Sequence, residues 1–129
     1  MIELTPERKS QLRKASLKHR YSISYWAMAL RNKAKQRAKK LNVPFNLSKE
    51  WLVKQLEAGV CSKTGIVLDL SGGKRKPYTP SIDRINGIDG YTEQNTQLVC
   101  WIYNAAKSTF THEDVVDFAN AFRGENSWQ

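Results

Sequence analysis

Three polar residues are spaced along residues 78–107 in a way that could hold a metal ion. Asp83 ends one short apolar run, Asn95 precedes the next, and Asn104 lies in the helix-like segment that follows. A strand carrying Asp83 and a loop closed by Asn95 would lead into a second strand over residues 97–100. A helix after that strand would bring the Asn104 amide to the Asp83 carboxylate. Two converging oxygen ligands suit a hard divalent cation, so the pattern predicts one Mg²⁺ or Mn²⁺ held by Asp83 and Asn104.

Further residues surround this pattern in a fixed order. They are Cys61, Thr64-Gly65, Ser81-Ile82-Asp83-Arg84-Ile85, Gly90-Tyr91, Asn95, Val99-Cys100, Asn104 and Lys107. Together they resemble the HNH endonucleases, in particular the small phage and bacterial members, over about residues 31–122. The resemblance implies an α+β fold in which basic N-terminal helices precede a ββα-metal (His-Me finger) nuclease core and a C-terminal helix. We expect a basic helical arm over residues 1–45 and the HNH-like core over 46–129, within one compact domain.

The resemblance also implies roles for the matching residues. Asp83 and Asn104 would be catalytic metal ligands, and Asn95 would fix the loop through backbone hydrogen bonds so that residues around Asp83 point at the metal. Lys107, one turn after Asn104, would be a phosphate-binding cation. No zinc is expected: Cys61 and Cys100 resemble relics of two CxxC knuckles whose partner positions hold poor zinc ligands, so we predict buried packing residues.

Arg84 departs from the family, because it stands where the general-base histidine falls. Arginine stays protonated and cannot take a proton from water. Three alternatives follow. Arg84 could clamp the scissile phosphate while another residue acts as the base, or the protein could be a slow nuclease that relies on the metal and Arg84 alone. In the third alternative the protein has lost cleavage and kept DNA binding. An Asp-Arg-Ile strand recurs among HNH-like phage proteins, which favours an active enzyme. The candidate bases are His112, Tyr78, Tyr91 and Glu93.

Charge is concentrated at one end of the chain. The formal net charge is +9, while residues 1–45 alone hold twelve Lys or Arg against Glu3 and Glu7. A basic arm before a neutral body is typical of a polyanion binder, although a merely solvated basic face is the alternative. We predict DNA as the partner. The predicted DNA-binding residues are Arg31, Lys35, Arg37, Lys39, Lys40, Lys74, Arg75, Lys76 and Lys107.

Local signals predict the elements. Thr5-Pro6-Glu7 begins a helix running to about Lys18. Apolar residues between Ile23 and Leu41 recur at three- and four-residue steps, which predicts a second helix that Pro44 ends. Ser48 would cap a helix over 49–58 with Gly59 as its end, and residues 66–70 read as a strand. Residues 71–76 predict a mobile turn with three cations at its tip. Thr111 would begin a last helix, with its core face formed by Val115, Phe118, Ala119 and Phe122.

We therefore expect an HNH-like, phage-derived, metal-dependent DNA endonuclease that hydrolyses phosphodiester bonds, by nicking or by double-strand cleavage. The alternative is a catalytically weak or inactive HNH-fold protein that binds DNA or assists packaging. A small basic RNA-binding or ribosome-associated protein would explain the charge but not the Asp83 to Asn104 pattern. No apolar run is long enough to span a bilayer, and no leader is visible, so we expect no membrane partner and a cytoplasmic protein of a bacterial host cell.

Overall fold

The computed structural model describes residues 5–11 and 23–124. Residues 6–11 are helical, and the hydroxyl of Thr5 accepts a hydrogen bond from the backbone N–H of Arg8, as the predicted cap requires. The rest of the predicted first helix, to Lys18, lies outside the described residues. The elements after residue 22 are α1 (Ile23–Leu41), β1 (Phe45–Asn46), α2 (Lys49–Ala58), β2 (Pro80–Arg84), β3 (Tyr91–Thr92), β4 (Thr96–Cys100), α3 (Trp101–Lys107) and α4 (His112–Phe122).

Helix α1 covers the predicted apolar stripe, ends before Pro44 and packs against α2. Its buried stripe consists of Ala27, Leu30, Ala34 and Ala38. Small side chains at this spacing let the two helices approach closely, while the long basic side chains lie on the other faces. None of the helices in the described part of the chain is long and apolar enough to cross a membrane.

Helix α2 has both predicted ends. The Ser48 hydroxyl accepts a hydrogen bond from the N–H of Trp51, and Gly59 ends the helix in the left-handed region at φ 73°. Leu52 and Leu56 of α2 are fully buried with Leu68, Leu98 and other residues of the main core. The core therefore joins α1 and α2 to the hairpin that carries Asp83.

Strands β2 and β4 form an antiparallel pair, followed directly by α3. The pairing sets Asp83 opposite Gln97 and Pro80 opposite Cys100. Strand β4 is buried along its whole length, so one side of the hairpin lies against the core and holds the register. A second, two-residue parallel pair links β1 to β3, with Phe45 beside Tyr91.

Residues 66–70 do not form the predicted strand. Ile66, Leu68 and Leu70 are buried at alternate positions, as in a strand, but the segment makes only an isolated bridge between Val60 and Val67. The alternation predicted the burial correctly. The segment's backbone hydrogen bonds go to Gly59, Cys61 and Tyr78, so it pairs over too short a length to form a strand.

Of the three cations predicted at the tip of the loop after residue 70, Lys76 contacts the loop itself, whereas Lys74 and Arg75 are exposed. The ammonium of Lys76 donates to the hydroxyl of Ser71 and to the carbonyl oxygen of Gly72, and it lies 3.9 Å from the Asp69 carboxylate. Burial raises the pKa of Asp69, but hydrogen bonds from the hydroxyl and N–H of Ser71 outweigh it, so the pKa is lowered overall. Lys76 is thus a structural residue of the loop.

Helix α4 is capped as predicted but does not bury its predicted face. Thr111 and Asp114 form a capping box. Phe118 and Phe122 are 66% and 84% exposed, and no residue of α4 is buried. Val115 alone of the predicted face packs against the core. The apolar spacing was correct as a helix signal, but α4 contacts α3 only near its beginning.

Candidate functional site

Asp83 is buried on β2, and its carboxylate is fully engaged. The Lys107 ammonium lies 3.1 Å from Oδ1 and 2.9 Å from Oδ2, while Gln97 Nε2 donates to Oδ2 at 2.8 Å. Asp83 and Lys107 are each only 5% exposed. An ion pair removed from water in this way is stable only if its remaining hydrogen-bonding groups are satisfied, and here both partners have several contacts. The pair connects β2 to the end of α3.

Lys107 has further oxygen neighbours. Its ammonium donates to the carbonyl oxygen of Arg84 at 2.8 Å and approaches that of Ile85 at 3.5 Å. The side chain therefore points into the protein, between the last residues of β2 and α3. This placement differs from the expected phosphate-binding cation, because the ammonium faces Asp83 rather than solvent.

Asn104 lies on α3, one turn before Lys107. Its Nδ2 donates to the Ser81 hydroxyl at 2.7 Å and to the Ile82 carbonyl oxygen at 3.1 Å. Both contacts fix the orientation of the amide against β2. Because the nitrogen makes both of them, the amide oxygen is the atom left to act as a ligand, and it makes no hydrogen bond to the described residues.

The donor atoms of Asp83 and Asn104 fit a hard divalent cation in kind. Asp83 and Asn104 line the same cleft, and Mg²⁺ commonly uses one or two protein ligands and completes its shell with water and substrate phosphate. The described residues contain no group of three or more His, Cys, Asp or Glu side chains placed to hold a metal. An ion here would therefore depend strongly on the Asp83 carboxylate, whose two oxygens already face Lys107.

Arg84 is turned toward the loop that follows β2. Its Nη1 donates to the carbonyl oxygens of Gly87 at 2.6 Å and Asp89 at 3.0 Å, and the guanidinium lies 5.2 Å from the ring centre of Tyr91. Nε and Nη2 make no hydrogen bond to the described residues. Arg84 thus braces the loop with one nitrogen, and it is also one of the residues that line the cleft.

Asn95 holds the same loop from its other end. Its Oδ1 accepts from the N–H of Asn86 at 2.9 Å, and its Nδ2 donates to the carbonyl oxygens of Asn86 at 3.1 Å and Gly90 at 2.8 Å. These are the backbone hydrogen bonds that the resemblance implies for this position. The loop leaving Asp83 is thereby closed by one side chain.

Of the candidate bases, His112 and Tyr91 line the cleft, whereas Tyr78 and Glu93 do not. His112 Nδ1 and the Tyr103 hydroxyl share a hydrogen bond of 2.9 Å, which fixes the imidazole. Burial, then the charges of Asp83, Cys61 and Glu113, raises the pKa of Tyr103 to about 12, so the phenol keeps its proton.

Cys61 and Cys100 are buried side by side in the main core. Their thiols share a hydrogen bond, which together with burial raises the pKa of Cys100. Thr64 and Tyr103, at the positions of the missing knuckle cysteines, also lie nearby, since each interacts with Cys61. The four positions of the resemblance thus converge in space.

The cleft in front of Asp83 is broad, about 1470 Å³, and mostly basic. Its walls come from α1, β2, α3 and the loops after β2 and α3. Its charged lining consists of Lys33, Arg37, Lys63, Arg75, Arg84 and Lys107 against Asp83 and Glu113. A cleft with this excess of positive charge attracts polyanions.

The predicted DNA-binding residues are divided by the structure. Arg37 and Arg75 line the cleft, and the Arg75 guanidinium stacks 3.8 Å from the ring centre of Trp101. Lys35, Lys39, Lys40 and Lys74 are exposed elsewhere. Arg31 turns inward, where its Nε donates to the Leu47 carbonyl oxygen at 2.8 Å. Arg31 therefore differs from the expectation and joins α1 to the segment before α2.

Sequence reasoning did not identify Gln97, Ser81, Lys63 or the partnership of Tyr103 with His112. Gln97 could have been found, because a hairpin register that pairs Pro80 with Cys100 places it opposite Asp83. Lys63 and the Tyr103 to His112 contact depend on how separate loops pack, for which the sequence carries no periodic signal.

Comparison with known proteins gives a structural likeness only. No family model matches the chain, and no curated protein matches its sequence. Among solved structures, it is similar to the rare-cutting HNH restriction endonuclease PacI, which was described with a mechanism of DNA perturbation. The TM-score is 0.54 at 20% identity, covering 76% of this chain and 81% of that one. The chain therefore has the fold of an HNH-type nuclease.

Proposed function

We propose that this protein is a metal-dependent DNA endonuclease that hydrolyses phosphodiester bonds. The observation that carries the proposal is the position of Asp83 and Asn104 in one basic cleft, on a hairpin and the helix that follows it. On this reading β2, β4 and α3 are the ββα-metal core. The likeness to an HNH restriction endonuclease supports the same assignment at the level of the fold.

In the proposed enzyme Asp83 and Asn104 hold one Mg²⁺ or Mn²⁺. When bound, the ion supplies Lewis-acid stabilisation of the charge on the scissile phosphate and leaving oxygen. Asn104 is already oriented for this role, because Ser81 and Ile82 hold its nitrogen and direct the amide. Gln97 orients the carboxylate of Asp83 in the same way.

In this proposal Arg84 stabilises negative charge and His112 acts as the general base, the role that the family's histidine has. Arg84 offers the nitrogens not used by the loop to a phosphate oxygen, which stabilises the charge developed during hydrolysis. His112 is the best-placed candidate base. In the tautomer protonated on Nδ1, the ring donates to the Tyr103 hydroxyl oxygen, and Nε2 can take a proton from the attacking water.

The basic cleft is the proposed DNA-binding surface. Lys33 and Arg37 lie one turn apart on α1, and Arg75 is pre-oriented by Trp101. Each phosphate that such a residue neutralises steepens the fall of log K with log salt by about 0.9. Neutralising Lys33 and Arg37 should therefore flatten the slope by up to about 1.8, while Lys54→Gln, on an exposed part of α2 outside the cleft, should leave it unchanged.

The test of hydrolysis is nicking of a supercoiled plasmid during titration with Mg²⁺ or Mn²⁺. Asp83→Ala and Asn104→Ala should each abolish metal-dependent cleavage and leave duplex affinity nearly unchanged. Glu57→Gln, an exposed change on α2 outside the cleft, is the matched control and should cut normally. Cleavage by both alanine variants at the wild-type rate, with the same metal dependence, would refute the assignment of the ligands.

One observation favours a second function, a DNA-binding or packaging-accessory protein without catalysis. The cation on Asp83 in the structure is Lys107, and Arg84 replaces the usual base. This alternative predicts the same salt dependence of DNA binding and no nicking with either metal on single-stranded, duplex or branched DNA. For both functions we propose a phage-derived protein acting in the cytoplasm of a bacterial host.

A further inference from the structure

The hydrogen-bond partners of the Lys107 ammonium are all oxygen atoms. Both carboxylate oxygens of Asp83 and the carbonyl oxygen of Arg84 lie within 3.1 Å of Nζ, with that of Ile85 at 3.5 Å. Carboxylate and carbonyl oxygens are also the ligands that Mg²⁺ and Mn²⁺ prefer. The side chain thus fills, with a single positive charge, a position chemically suited to a free cation.

We propose that Lys107 is a tethered cation that competes with the divalent metal for Asp83, so that metal binds only when the ammonium leaves. The inference rests on the proposed metal role of Asp83, and it adds a regulation of that site. Without DNA, the protein would be held in a metal-poor form by its own lysine.

Simultaneous occupancy is disfavoured by electrostatics and by space. An ammonium and a divalent ion sharing one carboxylate would lie a few ångströms apart in a site that is 5% exposed, where repulsion is poorly screened. The second protein ligand, Asn104, is neutral and cannot balance the extra charge. Metal binding therefore requires the Lys107 side chain to rotate away from Asp83.

The displaced ammonium has a favourable destination when DNA is bound. Lys107 lies at the end of α3 and lines the cleft, so its flexible stem can turn the charge toward a backbone phosphate. In that state the metal takes over Asp83 and the phosphate takes over Lys107. Because DNA then favours the same conformation as the metal, the two ligands should bind cooperatively, each strengthening the other by the same factor.

The decisive measurement is Mn²⁺ affinity without DNA, from the electron paramagnetic resonance signal of free Mn²⁺. Lys107→Met keeps the length of the side chain and removes its charge, so it should bind Mn²⁺ about tenfold or more tighter than wild type, since the competing state no longer lowers the competent fraction. Lys107→Arg keeps the charge and should bind as weakly as wild type. Lys54→Met is the surface control and should match wild type.

One further measurement and one further variant keep the test decisive if Lys107→Met is unstable. Its melting temperature should then rise with Mn²⁺ at concentrations that leave wild type unchanged, because the ion replaces the lost charge beside Asp83. The double variant Asp83→Asn with Lys107→Met should show neither tight binding nor this rise. Wild-type affinity in a folded Lys107→Met, or no rescue of an unstable one, would overturn the proposal.

Plasmid nicking by the wild-type protein separates this inference from the proposed function. Mn²⁺-dependent nicking without tighter binding by Lys107→Met would retain the nuclease and reject the competition. Tighter binding by Lys107→Met in a protein that never cuts would support the competition and reject the nuclease. Equally tight binding by Lys107→Arg and Lys107→Met would overturn the competition, because charge would not be what excludes the ion.

Discussion

Removing the Asn95 side chain should loosen the loop between β2 and β4 by a predictable amount. Asn95→Ala deletes three hydrogen bonds, one accepted from the N–H of Asn86 and two donated to the carbonyl oxygens of Asn86 and Gly90. A protein hydrogen bond contributes about 1 kcal/mol net, and partial access of water to this loop reduces the loss. We therefore expect the free energy of unfolding to fall by about 2 to 3 kcal/mol.

Urea unfolding followed by tryptophan fluorescence measures this loss. The midpoint should move to lower urea while the slope stays constant, since the compactness of neither state changes. Gln94→Ala alters the exposed neighbour in the same turn and should change stability by less than about 0.5 kcal/mol. A loss below about 1 kcal/mol for Asn95→Ala would refute the view that one side chain closes the loop.

The pH dependence of the stability of a second variant, Asn95→Asp, tests the directions of these hydrogen bonds. The variant keeps one acceptor but turns a second carboxylate oxygen toward two carbonyl oxygens, which should raise the pKa of the new carboxyl in the folded protein. A raised folded pKa favours folding of the protonated form, so the deficit relative to wild type should be smallest below about pH 4 and grow as pH rises. A deficit independent of pH would contradict the hydrogen-bond directions at this position.

Three other predictions concern neighbouring features. Gly90→Ala should destabilise the protein by about 2 kcal/mol or more, because the added Cβ overlaps the carbonyl oxygen of Pro44, whereas Gly87→Ala has open space; thermal unfolding measures both. Arg84→Ala should slow plasmid cleavage by roughly two to three powers of ten, and a gain for Arg84→His that rises through about pH 6.5 would instead show a weakened native site. Because the pKa of Asp69 is lowered in the folded protein, the ionised Asp69 carboxylate stabilises the fold above the ordinary carboxyl pKa, and this stabilisation is lost in acid. The stability of Asp69→Asn should therefore fall less than that of wild type as the pH is lowered through this range.

The sequence predicted the elements whose signals are local. The Ser48 cap, the Gly59 terminator and the apolar stripe of α1 each depend on side chains acting on their own helix. Helix α2 has the predicted bounds, and α1 covers the predicted stripe. Two predictions, the strand over residues 66–70 and the buried face of α4, are wrong because they depend on contacts with other segments. Alternation and helical spacing describe one face of a segment, but neither says whether another segment lies against it.

The sequence indicated where the candidate site residues lie in the fold, but it did not indicate which atoms each of them contacts. The order of Asp83, Asn95 and Asn104 was enough to place them around one loop and helix, because hairpin geometry follows from chain order. The inward turn of Lys107 was not predictable from its spacing to Asn104. That choice depends on how deeply β2 buries Asp83 and on which oxygen atoms surround the end of α3.

The two-residue parallel pair between β1 and β3 limits how far this protein can be shortened. It ties Phe45, just after α1, to Tyr91 in the loop that follows Asp83, and the Tyr91 N–H donates to the Pro44 carbonyl oxygen at 2.9 Å. Contacts between residues so distant along the chain require a long loop to close, which costs conformational entropy. A fragment reduced to β2, β4 and α3 would therefore lack an anchor for its own loop. Fragment complementation, with residues 1–46 supplied as a separate peptide that includes all of β1, is the arrangement in which the shortened core should recover the order of this loop.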